Sequence, residues 1–310
     1  MADFSNYRIE AFGEQGVYDL ADRVIPEIAT AFNFDLPHKP SVPALKELIR
    51  VVGPAKTLQD NIELVQERLG VEKDALQMAT NWVDRSGILQ PVRRSFTDNS
   101  RGLPEHRHVG TTIFNTGVAR WSLRRAQVMI DLQNEGFDLG QKIIFAGQRP
   151  MGEQEHESVV RLSDVLTDRQ KKEGKVTEAL FAEHVLLPLL NDAGVDADLA
   201  IADSANGEEI FERGIRFNTD MLGGSILAIG NAPAAIQVAG QFREAARKIS
   251  SGFNDRGIAP TIYMASDSIP LARTEAELKS PATHQNPYTA IGQLIRNAMY
   301  LQRTVESYEA

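Results

Sequence analysis

Glycine and small polar residues recur directly after short apolar segments in the C-terminal two thirds of the chain. Thr116 and Gly117 follow the segment 109–115, and Arg120 lies three residues beyond Gly117. Glycine allows a sharp turn, and the backbone N–H groups at the start of a helix attract anions. An arginine beside them can hold a phosphate or a carboxylate through two parallel hydrogen bonds. The segment therefore predicts an anion-binding contact with Arg120 as its principal candidate.

Two more arginines follow on the same predicted helix and are secondary candidates for this contact. Arg124 is one helical turn beyond Arg120 and shares its face, and Arg125 comes next. The alternative interpretation is a solvated basic patch that pairs with the charged segment 153–174. A single glycine does not form a dinucleotide-binding motif, so the turn assigns no such cofactor.

Three further apolar segments end in the same kinds of residue. We expect the glycines to let a ligand approach the backbone and the polar side chains to hydrogen-bond it. Tight turns, helix capping and close packing explain the same residues without any ligand. The candidate ligand contacts are Gly147 and Gln148 after residues 142–146, Ser204, Asn206 and Glu208 after residues 198–202, and Gly230 and Asn231 at the end of residues 225–230.

Several kinds of chemistry are excluded or unsupported by the residue inventory. The chain has no cysteine, which excludes disulfides, thiolate metal sites and a cysteine nucleophile. The histidines do not show a spacing typical of metal ligands, so no metal is predicted. The phosphate-binding P-loop and the serine elbow of hydrolases are both missing from the sequence. The residues thus predict a ligand site without assigning a reaction.

Composition limits the partners of the protein. The formal net charge is −9, which disfavours nonspecific binding to nucleic acid or to anionic lipid. Hydrophobic residues make up 42% of the 310 residues, a fraction typical of globular proteins. The first residues lack a signal-peptide pattern, and no apolar run approaches the ~18 residues of a membrane helix. We therefore expect a cytoplasmic protein that does not bind membranes.

The candidate residues are positioned by a predicted alternation of strands and helices over residues 105–310. Continuous apolar strands that alternate with helices are typical of a parallel sheet buried on both faces. The prediction is a doubly wound, Rossmann-like α/β domain with three layers, whose ligand lies at the carboxyl ends of the strands. The predicted strands are 109–115, 142–146, 198–202, 225–230 and 260–265, and the predicted helices are 120–134, 177–192, 207–217, 235–250 and 288–308.

Residues 1–104 show helical periodicity and predict a small helical N-terminal domain. The predicted helices are 18–32, 44–52, 58–69 and 75–86. The last two flank a glycine turn, which permits a helix-turn-helix interpretation with 75–86 as the recognition helix. That helix is not basic, so a small bundle packed on the main domain is the favoured interpretation.

The order of motifs from Val109 to Ala265 is similar to that of a bacterial family of Rossmann-like proteins. A turn glycine leads to an arginine and a helix, a second strand ends in glycine, and an acidic helix leads to a Gly-Val step. A polar segment and a fourth strand follow in the same order. The matching residues are Gly117, Arg120, Ala126, Leu132, Gly136, Gly147, Glu178, Ala179, Gly194, Val195, Ser204, Asn206, Glu208 and the strand 225–230.

On these motifs the chain resembles the SanA/ElyC/YdcF-like family. The resemblance implies a small-molecule site for a nucleotide or a nucleoside-bearing ligand such as S-adenosylmethionine. The chain departs from the family after Gly230, where Asn231 and residues 232–237 replace the usual histidine and Arg-Ala pair. The roles of that histidine and arginine therefore do not transfer to this chain.

The leading hypothesis is a cytoplasmic protein that binds a small anionic or nucleoside-containing ligand. Gly117 and Arg120 would hold the anionic part, and Glu178 is a further candidate. The polar part would meet Ser204, Asn206 and Glu208, with Gly147 and Asn231 as the floor of the site. The alternatives are a ligand-sensing regulator that binds nucleic acid through its N-terminal helices, and a scaffold without catalysis.

Overall fold

The structure is a computed structural model that describes residues 25–31, 42–52, 73–96, 102–151, 176–204, 206–251, 260–279 and 283–309. The strands are β1 (Arg93–Ser95), β2 (Thr111–Asn115), β3 (Gln141–Gly147), β4 (Asp198–Ala202), β5 (Ser225–Ile229) and β6 (Thr261–Ala265). The helices are α1 (Ile25–Ala31), α2 (Val42–Val52), α3 (Lys73–Ser86), α4 (Ala119–Asn134), α5 (Glu178–Phe181), α6 (Leu187–Asp192), α7 (Gly207–Phe217), α8 (Ala235–Ser251), α9 (Glu275–Leu278) and α10 (Pro287–Glu309). A π-helical turn, Ala182–Leu186, joins α5 to α6, and two 3₁₀ turns are Thr219–Gly223 and Ala232–Ala234.

The strands form one six-stranded sheet with the order β1-β6-β5-β2-β3-β4. All neighbours are parallel except β1, which pairs antiparallel with β6. The chain runs outward from β2 through β3 to β4, and then returns to β5 and β6 on the other side of β2. The order therefore reverses between β2 and β5, which is the topological switch point of a doubly wound sheet.

Alternate residues of each strand supply the cores on the two faces of the sheet. Ile113 of β2 faces a core that includes α7, α8 and α10. Its neighbour Phe114 faces a second core that includes α4, the π-helical turn and α6. Both faces are covered by helices, which explains why the strand sequences are continuously apolar. The protein is thus a three-layer, Rossmann-like α/β fold, as the alternation of strands and helices predicts.

The five predicted strands and the predicted helices between them are confirmed, with boundary shifts of a few residues. The segment 177–192 contains the π-helical turn within its helix. β1 was not predicted, because the sequence patterns indicated only helices before residue 105. This strand has three residues, two of them arginines, so it has no apolar run that would reveal it.

The described part of the N-terminal region packs on the main domain. Apolar side chains of α1, α2 and α3, including Ile28, Leu48 and Trp82, are buried in the same core as α10. In α3 the buried residues are those of its apolar face, which therefore contacts the protein interior. The predicted helix 58–69 and the charged segment 153–174 lie outside the described residues.

Candidate functional site

A buried arginine connects the carboxyl ends of β2 and β5, the two strands that flank the switch point. Arg125 of α4 donates from Nε and Nη2 to Oδ1 of Asn231, at 3.2 and 2.7 Å. Its Nη1 donates to Oδ1 of Asn115 at 3.0 Å and also to the carbonyl oxygen of Asn115. Asn115 ends β2, and Asn231 is the second residue after β5. The guanidinium thus lies where doubly wound folds bind their ligands.

The hydrogen-bond partners of this guanidinium are all neutral oxygens. The Arg125 residue is 6% exposed, and within the described ranges no carboxylate lies within 4.0 Å of its nitrogens. Desolvation lowers its pKa from the ordinary value of an arginine to about 10, against the opposing charges of Glu178 and Asp267. Arg125 therefore remains protonated at neutral pH and carries a positive charge without a carboxylate in direct contact.

The preceding residue, Arg124, hydrogen-bonds to the residues that follow β6. Arg124 Nη1 donates to Oδ2 of Asp267 at 2.6 Å and to the carbonyl oxygen of Ser268 at 3.3 Å. Asp267 is the second residue after β6. Its other oxygen, Oδ1, is buried and has no hydrogen-bond partner among the described residues. Two consecutive residues of α4 thus reach the ends of β2, β5 and β6.

A buried carboxylate, Glu178, lies at the ends of β2 and β3. Its Oε2 accepts a hydrogen bond from the Thr116 hydroxyl at 3.1 Å. Its Oε1 accepts one from Arg149 Nε at 2.5 Å, and its backbone N–H donates to the carbonyl oxygen of Arg149 at 3.0 Å. Thr177 fixes the start of α5, because its hydroxyl oxygen accepts from the backbone N–H of Leu180. The predicted contact Thr116 is thereby brought together with Glu178, the further candidate.

Gly147 is surrounded too closely to carry a side chain. A Cβ at this position would lie 2.4 Å from the Ser204 carbonyl oxygen and 3.6 Å from Glu178 Oε2. The backbone N–H of Gln148 donates to the same carbonyl at 3.2 Å. The ends of β3 and β4 are therefore in direct contact, as the strand-end pattern predicts.

The contacts of Ser204, Asn206 and Glu208 are those of helix capping. The Ser204 hydroxyl donates to Glu209 at 2.6 Å and accepts from the backbone N–H of Asn206 at 3.0 Å. Oδ1 of Asn206 accepts from the backbone N–H of Glu208 at 3.0 Å, and the Glu208 carboxylate pairs with Lys248. The capping interpretation therefore accounts for the side-chain contacts of Ser204 and Asn206, whereas the Glu208 side chain forms an ion pair.

Gly230 has a packing role at the end of β5. A Cβ there would lie 2.4 Å from Cα of Ala235, the first residue of α8. A side chain would therefore push the start of this helix away from the strand. The glycine keeps the turn short, which brings Asn231 to Arg125.

The sequence makes Arg120 the principal candidate, whereas in the structure it is Arg125 that contacts Asn115 and Asn231; the role of Arg120 stays a prediction. The Arg120 guanidinium lies 4.3 Å from the ring centre of Trp121. Arg125 lies on the buried stripe that Ser122, Ala126 and Met129 form at spacings of three and four residues. The signal for Arg125 was thus present in the sequence, as a charged residue inside an apolar helix face.

Comparison with known protein families and with curated proteins found no match to this chain. The resemblance given above therefore stays a prediction. Within the described ranges, no group of three or more histidines or acidic residues is arranged to hold a metal ion. No helix in the same ranges has the length and apolar character needed to cross a membrane.

Proposed function

We propose that this protein binds a small anionic molecule in the crevice between the ends of β2 and β5, with Arg125 as the contact for the anionic group. The observation that carries the proposal is the buried guanidinium of Arg125 with only neutral hydrogen-bond partners. The four hydrogen bonds of Arg125 replace its lost hydration but leave the buried charge without an opposite charge in contact, which is unfavourable. A phosphate or carboxylate in contact with Arg125 would supply that charge.

The charges around the crevice indicate how much negative charge the ligand brings. Asp267 pairs with Arg124, and Glu178 pairs with Arg149. Each of these pairs is neutral as a unit, so Arg125 supplies one positive charge in excess. The crevice therefore favours a ligand with one anionic group at this point. Nucleotides and S-adenosylmethionine, the ligands implied by the resemblance, both carry such a group.

Calorimetric titration with inorganic phosphate, AMP and S-adenosylmethionine tests this proposal. We expect at least one of them to bind the unaltered protein and to raise its melting temperature. Arg125→Met removes the charge and keeps much of the side-chain volume, so affinity should fall by about tenfold or more. Arg247→Met is the matched control, because Arg247 is exposed and pairs with Glu244 at 3.1 Å.

Two outcomes contradict the proposal. One is that none of the three compounds binds or stabilises the protein. The other is that a compound binds and Arg125→Met leaves its affinity unchanged. In the second case the crevice would be a structural junction, and Arg125 would serve only to hold β2 and β5 together.

A further inference from the structure

We infer that the anion bound at Arg125 carries a hydroxyl group, and that Asp267 accepts a hydrogen bond from this hydroxyl through its free oxygen, Oδ1. The inference rests on the proposed function and names the ligand class more narrowly. It points to hydroxylated anions, such as sugar phosphates and polyol phosphates, in place of simple alkyl phosphates or carboxylates.

The first observation is the unequal use of the two Asp267 oxygens. Oδ2 accepts from Arg124 Nη1 at 2.6 Å, whereas Oδ1 is buried without a partner in the described part of the chain. The side chain as a whole is 25% exposed, so the carboxylate lies at an opening of the structure and not in a sealed core. Buried polar atoms are almost always hydrogen-bonded, so Oδ1 requires a donor.

The second observation is the position of Asp267 beside the anion contact. Arg124 and Arg125 are consecutive residues, and they reach Asp267 and Asn231 after the neighbouring strands β6 and β5. The Asp267 carboxylate is also close enough to raise the pKa of Arg125 by its charge. One small molecule can therefore contact Arg125 with its anionic group and Asp267 with a donor.

The charge of the site selects the kind of donor. Arg124 already neutralises the Asp267 carboxylate, so a cationic donor such as an ammonium group would add an unpaired positive charge next to Arg125. A hydroxyl group supplies the hydrogen bond without this charge. Hydrogen bonds from a neutral group to a charged acceptor are also among the stronger ones in proteins.

Gln285 hydrogen-bonds with the loop after β6. Gln285 and Asn286 each have one more buried polar atom without a hydrogen-bond partner among the described residues. The Gln285 backbone donates to the carbonyl oxygen of Pro270 at 2.8 Å and accepts from Ala272 at 3.0 Å. Gln285 Oε1 and Asn286 Nδ2 are both buried and lack partners among the described residues. The segments after β6 and before α10 thus contain three buried polar atoms without a hydrogen-bond partner among the described residues.

The test compares glycerol 3-phosphate with propyl phosphate by calorimetric titration of the full chain. The two probes share a phosphate and a three-carbon chain and differ by two hydroxyl groups. We expect glycerol 3-phosphate to bind about tenfold tighter or more, the value of one hydrogen bond to a charged group. In Asp267→Ala the ratio of the two affinities should fall to about one, while the unpaired charge of Arg124 should raise the affinity for both phosphates.

Arg124→Met is the matched control for Asp267→Ala. It breaks the same ion pair and leaves the carboxylate in place, so the preference for glycerol 3-phosphate should persist. The comparison of the two probes on the unaltered protein needs no variant, and it decides whether a hydroxyl group contributes even if Asp267→Ala fails to fold.

Three results would overturn the inference, and they separate it from the proposed function. Equal affinity for the two probes excludes a hydroxyl contact and leaves the anion contact at Arg125 standing. Tighter binding of phosphoethanolamine than of glycerol 3-phosphate shows that the donor is an ammonium group. Failure of inorganic phosphate, nucleotides and both probes to bind overturns the anion site itself, and this inference with it.

Discussion

Arg125 donates two hydrogen bonds to a single atom of Asn231, the side-chain oxygen Oδ1, from Nε at 3.2 Å and from Nη2 at 2.7 Å. An aspartate here would offer the same two donors a charged oxygen, whereas the acceptor is a neutral amide oxygen. A carboxylate would neutralise the guanidinium, whereas the amide positions it and leaves its charge unpaired. The amide of Asn231, in place of a carboxylate, therefore leaves a net positive charge at the switch point between β2 and β5.

Asn231→Asp should therefore remove the excess positive charge from the proposed anion site. The new carboxylate has almost the same shape and would neutralise Arg125, so we expect the free energy of unfolding to rise by about 1–2 kcal/mol. Phosphate affinity should fall by tenfold or more, because the excess positive charge is gone. Urea unfolding and calorimetric titration measure the two effects.

Asn231→Ala is the control for this prediction. It removes the acceptor without adding a charge, which leaves buried N–H groups unsatisfied and should lower stability by roughly 1–3 kcal/mol. Unchanged phosphate affinity in Asn231→Asp would show that anions do not contact Arg125.

Sulfate binding should follow the titration of Arg125. Burial lowers the pKa of this group to about 10, so the guanidinium is charged throughout the range from pH 7 to pH 9. We expect sulfate affinity to be flat over this range and to fall once the pH passes 10. Sulfate itself does not titrate here, so calorimetry at several pH values isolates the protein group. A decline that begins between pH 7 and pH 8 would assign the anion contact to a different residue.

The same pKa predicts the sign of the effect of Arg125 on stability. Its folded pKa is about 10 and lies well below the ordinary value of an arginine, so the unfolded chain binds more protons between these two values. The charged, buried form costs about 3 kcal/mol at neutral pH, a cost that decreases as the pH rises above 10. In the absence of anions, Arg125→Met should flatten the dependence of stability on pH in this alkaline window, as measured by chemical denaturation.

Gly117→Ala should weaken ligand binding and leave the fold intact. A Cβ at Gly117 has Arg125 Nη1 as its nearest neighbour, at 3.9 Å, which is an ordinary contact. We expect stability to change by less than about 0.5 kcal/mol. The added methyl group lies beside the anion contact, so phosphate affinity should fall several-fold. Full phosphate affinity in this variant would place the anion on the other side of the guanidinium.

Gly147→Ala should, in contrast to Gly117→Ala, lower the stability of the fold. The new Cβ would lie 2.4 Å from the Ser204 carbonyl oxygen and 2.8 Å from Ile210 Cδ1. The strand ends must shift to accept it, at a cost of roughly 2–3 kcal/mol. Thermal unfolding of the two alanine variants side by side separates the ligand effect from the packing effect.

Trp82→Ala tests whether α3 is part of the main core. Trp82 is 4% exposed, and its Nε1 donates to Glu27 at 3.0 Å. We expect a loss of about 3–5 kcal/mol, the usual result of removing a buried aromatic residue. Met78 of the same helix is 38% exposed, so Met78→Ala should cost less than about 0.5 kcal/mol. Similar stability of the two variants would mean that α3 does not support the sheet.

The order of strands and helices was predictable because the central strands are covered on both faces. An apolar run such as residues 225–230 then marks a strand, and its start agrees with that of β5. β1 was not predictable, since the pairing of three residues with β6 depends on a partner about 170 positions away. The π-helical turn has no signature in the apolar pattern that predicts the helix around it.

By itself, the sequence predicted a ligand site at the strand ends, because parallel strands bring their carboxyl ends to one edge and the polar residues follow each strand. The apolar face of α4 indicates that Arg125 is the buried arginine, but only the tertiary structure decided which strand ends it contacts. The rotation of α4 on the sheet buries Arg125 and directs Arg120 to Trp121, and such a rotation is fixed by packing across the whole core. Contacts between Arg125 and Asn231, or Arg124 and Asp267, join residues more than 100 positions apart. Such contacts depend on the assembled sheet, which local residue patterns do not encode.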